Sequence, residues 1–315
     1  MALRILITTD YLHPGDAVDQ LLCDHGLEPV YSPFRGPRPF EERRALFDGV
    51  SGAIVASEPV TADMLADAAS LKVIARSGVG YDSIDLPAAV ASGVRVCNAP
   101  GTNHHSVAEF TIGLIIMAAR RLSEVTTAVR QRRWPREAGH ELRGSTLGII
   151  GYGPSGRATA NLGVALGMNV LVTTRHPDPD NTAILFTGLD TVIRGADYLS
   201  LHTRAGQHTG PLIDALRLEA MKPSSILINT ARGSLVDEEA LAKALHDGTI
   251  AGAALDVLQS EPLPGDSPLR GLDNVLITSH LAGQTAQART RAGLAAAQAV
   301  IDVLESREPA HPVDP

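Results

Sequence analysis

The stretch "TLGIIGYGPSGRATANLGVALG" (residues 146–167) decides the fold. An aliphatic run reads as a buried strand. It ends in three glycines spaced G-x-G-x-x-G (Gly151, Gly153, Gly156), and a helix-like segment follows. The spacing alone is a weak signal, but strand, glycine turn and helix in that order are the context that gives it meaning. Gly151 permits a tight turn, Gly153 lets backbone approach a pyrophosphate, and Gly156 lets helix and strand pack closely. The helix start offers unpaired N–H groups and a positive dipole end to phosphate. Pro154 suits the first helical turn, where no N–H is needed. Gly151, Tyr152, Gly153, Pro154, Ser155 and Gly156 are therefore candidate dinucleotide-binding residues.

The next strand, "NVLVTT" (169–174), ends 23 residues after Gly151. An acid at this place would hold the ribose 2′-hydroxyl of NAD and repel the extra phosphate of NADP. Here stand Thr174 and Arg175 instead, and Asp178 lies beyond a proline. A charge-assisted hydrogen bond contributes about 1.5–3 kcal/mol, a roughly ten- to hundredfold preference. The expectation is NADP(H) preferred, with NAD(H) possible. The competing reading of Arg175 is a solvated surface side chain.

Outward from this turn, strands and helix-like segments alternate along the chain, as in parallel α/β folds. "LRILITT" (3–9), "GAIVAS" (52–57), "LKVIARS" (71–77) and "VRVCNA" (94–99) read as strands before the turn. After it come "ADYLSLH", "SILINTA", "AGAALDV" and "NVLITSH" (the last 274–280). The fold class is α/β, with two doubly wound parallel-sheet domains: a Rossmann cofactor domain over 100–285 and a flavodoxin-like substrate domain over 1–99, completed by 286–315. "HSVAEFTIGLIIMAARRL" (105–122) is helix-like and apolar around much of its circumference, as in a buried helix. Residues 261–274 form a Pro/Gly-rich loop, 287–304 a helix returning to the first domain, and the tail "REPAHPVDP" is expected to fray.

Composition narrows the function. The 315 residues are 44% hydrophobic and 20% charged, a mix able to bury a core, and aromatics are only 3%. A formal net charge of −8 argues against broad nucleic-acid binding, and an anionic substrate needs a local basic pocket. Cys23 and Cys97 suffice for neither a disulfide framework nor a metal cluster, and read as reduced, packed thiols; no metal is expected. The amino terminus shows no signal peptide, and the longest apolar run, "FTIGLIIMAA" (110–119), is too short to span a bilayer. A cytoplasmic protein without membrane partners is expected.

Five further segments carry the chemistry: "RSGVGYDSID" (76–85), "NAPGTNHHSVAEF" (98–110), "NTARGSLVDEEAL" (229–241), "ALDVLQSEP" (254–262) and "ITSHLAGQT" (277–285). Together, over residues 50–290, the chain resembles the D-isomer-specific 2-hydroxyacid dehydrogenases, which include phosphoglycerate, glyoxylate/hydroxypyruvate and D-lactate dehydrogenases. The resemblance implies that Arg232 binds the substrate, Glu261 pairs with the catalytic His280, and Asp256 holds the nicotinamide carboxamide. It places Thr230, Ala231 and His280 beside the cofactor. It also makes Ser77, Gly78 and Val79 a loop whose N–H groups take the substrate carboxylate. It further implies a homodimer with 105–122 at or near the interface, and an active cleft between domains that close on the bound acid.

These residue types suit the reaction independently. A planar guanidinium can hold a carboxylate and the neighbouring carbonyl in fixed geometry. Hydride arriving at the carbonyl carbon leaves negative charge on oxygen, where a protonated histidine can donate. An adjacent carboxylate stabilises the imidazolium. The hydride itself belongs to the nicotinamide.

Other assignments stay open. His202, ending a strand, reads either as structural or as a neighbour of the nicotinamide edge. His104 and His105 read as helix-start or surface residues, or as lining the cleft. Arg76 and Arg136 match phosphoglycerate dehydrogenase arginines, implying a substrate with a second anionic group such as phosphohydroxypyruvate or phosphonopyruvate. "RQRR" (130–133) also reads as a solvated helix face, and Ala56 stands where that subgroup often has another arginine. Glyoxylate and hydroxypyruvate are the simpler substrates. The rivals are a phosphite- or formate-dehydrogenase-like enzyme, whose substrate-specific residues are not evident, and a dinucleotide-sensing co-repressor-like protein without turnover.

Overall fold

The computed structural model describes residues 2–205 and 210–313. The chain divides into two compact units, Met1–Asn103 with Thr285–Pro315, and His104–Gln284.

In the first unit, strands β1 (Arg4–Ile7), β2 (Glu28–Tyr31), β3 (Gly52–Val55), β4 (Val73–Arg76) and β5 (Arg95–Cys97) alternate with helices α1 (Ala17–Asp24), α2 (Phe40–Ala45), α3 (Ala62–Ala66) and α4 (Leu86–Ala91). The sheet is parallel, in the order β2-β1-β3-β4-β5, the flavodoxin-like arrangement. Its strands are nearly continuous apolar runs because both faces are covered. Ile5, Ile7, Ile54, Val73 and Ala75 face α1 and the final helix Ala286–Leu304, meeting Val18, Leu22, Val300 and Ile301. Leu6, Ala53, Val55 and Ile74 face the other way, onto Met64 and Leu65 of α3 and Ala89 of α4. Buried aliphatic side chains of this kind contribute about 1.5–3 kcal/mol each.

The second unit begins with α5 (His104–Ala119) and α6 (Leu122–Arg130). Strands β6 (Thr146–Ile150), β7 (Asn169–Thr173), β8 (Ile184–Phe186), β9 (Tyr198–Leu201), β10 (Ile226–Asn229), β11 (Gly252–Leu255) and β12 (Val275–Ile277) follow, interleaved with α7 (Pro154–Ala165), α8 (Leu189–Gly195), α9 (Ala215–Ala220) and α10 (Glu238–His246). The seven-stranded parallel sheet runs β12-β11-β10-β9-β6-β7-β8, a Rossmann order with one strand added. Leu147, Ile149, Val170, Val172 and Ile228 pack with Ile112 and Ile115 of α5 and Ala160 of α7. Ile150, Leu199, Leu201, Leu227 and Leu255 pack on the opposite face with residues of α8, α9 and α10. Because all the strands of each sheet are parallel, the segments that follow them emerge along one edge, where α/β folds bind ligands.

Three sequence expectations need correction. β2 and β8 were not foreseen: both are short edge strands, and β2 carries Pro29, which an edge tolerates. The tail does not fray over its described residues. Pro312 bridges Cys97, and Val313 N–H donates to Val96 O at 2.8 Å. "RQRR" is not a helix face, since α6 ends at Arg130 and Arg132 has φ +61°.

Candidate active site

The glycine turn follows β6, and each glycine there can be tested against its surroundings. A Cβ at Gly151 would lie 2.4 Å from the His202 carbonyl oxygen, and one at Gly156 would lie 2.2 Å from that of Gly151. Gly151 also has φ +100°, a conformation that disfavours a side chain. Gly153 is different. Its φ is −72°, and a Cβ there would meet nothing within 4 Å. Packing therefore explains the first and third glycines but not the second, whose bareness leaves the turn open to a close-lying pyrophosphate. No side chain caps the start of α7, so its N–H groups face outward for phosphate. These residues fit a nicotinamide dinucleotide.

His202, just past β9, braces this turn from behind. Its Nδ1 lies 3.3 Å from Ser155 Oγ and its Nε2 lies 3.0 Å from Ser200 Oγ. Burial pushes its pKa down to about 4, so the ring is neutral at pH 7. Both nitrogens are engaged with serines, which favours the structural reading over the nicotinamide edge. Past β7, Thr174 Oγ1 accepts from His176 N–H at 3.2 Å, and Arg175 is exposed.

The catalytic candidates come from the ends of the next three strands. After β10, Asn229 is buried and spans its own turn: Oδ1 accepts from Ala231 N–H at 3.0 Å, and Nδ2 donates to Arg232 O at 2.8 Å. Thr230 Oγ1 lies 3.1 Å from Thr111 Oγ1 of α5. Arg232, thus presented, is half-buried and donates from one guanidinium nitrogen to Ala231 O at 2.7 Å.

Gly233 then lets two chain segments cross. A Cβ there would lie 1.9 Å from the Leu258 carbonyl carbon. The crossing carries 258–261 against the Arg232 segment, and Gln259 Nε2 fastens it by donating to Val236 O at 2.7 Å. Glu261 follows directly. Its Oε1 accepts from Leu258 N–H at 3.0 Å, and its Oε2 lies 2.9 Å from His280 Nδ1. Burial alone would raise the Glu261 carboxyl. The hydrogen bonds from His280 and Leu258, with the charges of His280 and Arg232, hold it below the ordinary carboxylate value. With Nδ1 facing Glu261, the His280 ring has Nε2 left for proton transfer.

Asp256, after β11, holds the turn that bears His280. The residue is 1% exposed. Its Oδ1 accepts from Thr278 Oγ1 at 2.6 Å and Leu281 N–H at 2.8 Å, and its Oδ2 accepts from Ala282 N–H at 2.8 Å. His280 N–H donates to Asp256 O at 2.9 Å. His280 itself has φ +59°, a left-handed backbone that costs a non-glycine residue roughly 1–2 kcal/mol. The Asp256 hydrogen bonds offset that cost.

In the first unit, the loop after β4 is pinned by its carbonyls. Ser77 O accepts from Tyr11 OH at 3.1 Å and from Arg76 at 3.0 Å, Gly78 O from Ala99 N–H at 2.9 Å, and Val79 O from Asn98 Nδ2 at 2.7 Å. Of the three N–H groups expected to meet a carboxylate, two are spent inside the unit: Ser77 N–H on Val55 O and Gly78 N–H on Arg76 O, each at 2.8 Å. The Val79 N–H, joined by that of Gly80, has no acceptor among the described residues.

The model of the D-isomer-specific 2-hydroxyacid dehydrogenase NAD-binding domain matches residues 112–282, more than half of the chain. The chain belongs to the D-isomer-specific 2-hydroxyacid dehydrogenases. The dehydrogenase is 40% identical over 263 residues to a glyoxylate reductase of Thermofilum pendens, covering 80% of this chain and 78% of the relative. It is 40% identical over 246 residues to a D-3-phosphoglycerate dehydrogenase of Mycobacterium leprae, covering 76% of this chain but only 46% of that one, about half its length. The crystal structure of the TT0316 protein from Thermus thermophilus superposes with a TM-score of 0.90 at 38% identity, covering 99% of this chain and 100% of the other. The dehydrogenase is thus an oxidoreductase that uses a nicotinamide dinucleotide.

Arg136 is exposed in the irregular segment between α6 and β6. His104 and His105 start α5 with ring centroids 4.0 Å apart. Cys97 is buried, its thiol pushed up to about 11 by that burial, whereas Cys23 is exposed rather than packed. Among the described residues, no cluster of His, Cys, Asp and Glu could hold a metal, and no helix is long and apolar enough to cross a membrane. Sequence reading missed Tyr11, Asn98, Asn229, Gly233 and Thr278. Asn98, Asn229, Gly233 and Thr278 fell inside quoted motifs without being singled out, and nothing in the sequence links Tyr11 to Ser77.

The neutral His202 sets a pH dependence. Its pKa is about 4 in the fold against an ordinary 6.5, so the unfolded chain binds more protons between those values. The contribution of the neutral ring is complete above about pH 6.5 and is lost as pH falls toward about 4. Thermal melts between pH 7 and 4.5 should show His202→Gln losing less stability on acidification than the parent. Parallel losses would refute the assignment.

Proposed function

We propose that the dehydrogenase interconverts a small 2-keto acid and its D-2-hydroxy acid, with NADPH as the preferred cofactor. The carrying observation is the 2.9 Å contact of His280 Nδ1 with a Glu261 carboxylate already fixed by Leu258 N–H. When bound, the dinucleotide supplies the hydride. In the reductive direction His280, charged and held by Glu261, donates its Nε2 proton to the carbonyl oxygen; in the oxidative direction it takes that proton back. Arg232 stabilises the carboxylate and the oxygen that gains charge. Thr174 and Arg175 replace the acid that would select NAD, which supports NADPH.

Glyoxylate and hydroxypyruvate are the first candidate substrates. A second reading, an acid with a further anionic group, is favoured by charge at the 76–79 loop. The Arg76 guanidinium bonds Ser77 O, and that of Arg289 sits 4.7 Å from the ring centroid of Tyr11, whose hydroxyl bonds the same residue.

Initial rates with NADPH and NADH test this, using glyoxylate, pyruvate, hydroxypyruvate, phosphohydroxypyruvate and phosphonopyruvate. Turnover favouring NADPH by roughly tenfold or more is expected. His280→Gln should lower kcat by roughly 10²–10⁴. Full activity of that variant would refute the proton-transfer role, and preference for NADH would demote Arg175.

The active form we propose is a homodimer. Exposed apolar side chains on α5 and α6, namely Ile116, Met117, Leu122 and Val129, support it. Sedimentation of a monomer at micromolar concentration would contradict it.

A further inference from the structure

We propose that Arg157 is a second cofactor-specificity residue, acting with Arg175 on the 2′-phosphate of NADP(H) while Asp178 opposes them. This rests on the NADPH reading given above. It adds a residue that the glycine motif does not include.

Arg157 follows the third glycine, in the first turn of α7. Its guanidinium carbon sits 4.9 Å from the centroid of the Tyr152 ring, inside the glycine turn. That ring is a fixed platform. Tyr152 is buried, meets Phe186 edge-on at 5.1 Å, and its hydroxyl accepts from Asn181 Nδ2 at 3.3 Å. A cation over such a face is held in place without using its N–H donors.

Those donors point toward a different partner. Arg157 NH1 lies 3.9 Å from Asp178 Oδ2, too far for a hydrogen bond, and the arginine side chain is 57% exposed. Asp178 is three residues past Arg175, in the segment that leaves β7. The end of this strand is where a Rossmann fold receives the adenosine ribose. Arg157 thus approaches, from the helix side, the segment that carries Arg175.

The chemistry favours a phosphate there over the carboxylate. A 2′-phosphate carries nearly two charges and three acceptor oxygens, and guanidiniums match it bidentately. Asp178 offers one charge at a distance that forms no hydrogen bond. It is instead placed to repel a phosphate, or to accept from a ribose 2′-hydroxyl when the phosphate is missing. The arrangement therefore makes two opposite predictions for two neighbouring side chains. An ordinary surface ion pair makes neither, because exposed pairs contribute little.

The test is calorimetric titration with 2′,5′-ADP and, as the probe lacking the 2′-phosphate, 5′-AMP. The proteins are the parent, Arg157→Gln, Asp178→Asn and Arg175→Gln. Arg157→Gln should weaken 2′,5′-ADP by roughly tenfold, the loss of one charge-assisted bond, with 5′-AMP nearly unchanged. Asp178→Asn should tighten 2′,5′-ADP severalfold. If Arg157→Gln keeps full 2′,5′-ADP affinity while Arg175→Gln loses it, the role of Arg157 is overturned and the NADPH reading stands. A parent that binds 2′,5′-ADP no tighter than 5′-AMP overturns both. Retained 5′-AMP binding shows that each variant is folded.

Discussion

The carboxylate of Asp256 is shut away from water and draws its compensation from one short turn. A buried charge without partners costs several kcal/mol. Thr278, Leu281 and Ala282 together supply three donors to it. That requirement draws the segment after β12 onto the end of β11 and holds His280 in a left-handed backbone. The imidazole then has one place to go, and Glu261 is there. Sheet topology, turn and the Glu261–His280 pair are linked through a single buried carboxylate.

A similar economy governs the approach from the other side. Glu261 depends on a chain crossing that only glycine permits at position 233. Arg232 precedes that glycine directly, so the crossing places Arg232 and Glu261 together. The glycine turn after β6 divides its labour in the same way. Gly151 and Gly156 serve the protein's own packing, and Gly153 leaves room for a ligand. Behind it, a histidine kept neutral by burial ties the turn to β9 through two serines.

Much of this was legible in the sequence because it is local. A strand, three spaced glycines and a helix occupy one continuous stretch, and the parallel order follows from alternation of apolar runs. Arg232, Glu261 and His280 were readable because each sits in a motif at a strand end. What escaped was non-local or weakly patterned. The edge strands β2 and β8 are short and lack a long apolar run, so nothing marks them. Tyr11 meets Ser77 across 66 positions, and no local rule connects them. The tail looked dispensable because it is rich in proline, yet Val313 extends the hydrogen bonding of Val96. The loop 77–79 was singled out in the sequence, but which of its N–H groups are spent internally could only come from the fold. Asp256 was read for its place beside a ligand, and its grip on the histidine turn could only come from the fold.

The central claim is that Glu261 fixes the His280 ring so that Nε2, not Nδ1, exchanges the proton with substrate. Nitrogen-15 NMR of the imidazole in the ligand-free protein, at a pH where the ring is neutral, tests it most directly. The account predicts a protonated Nδ1 facing Glu261 and a lone pair on Nε2. A dominant tautomer with the proton on Nε2 and a bare Nδ1 would contradict it.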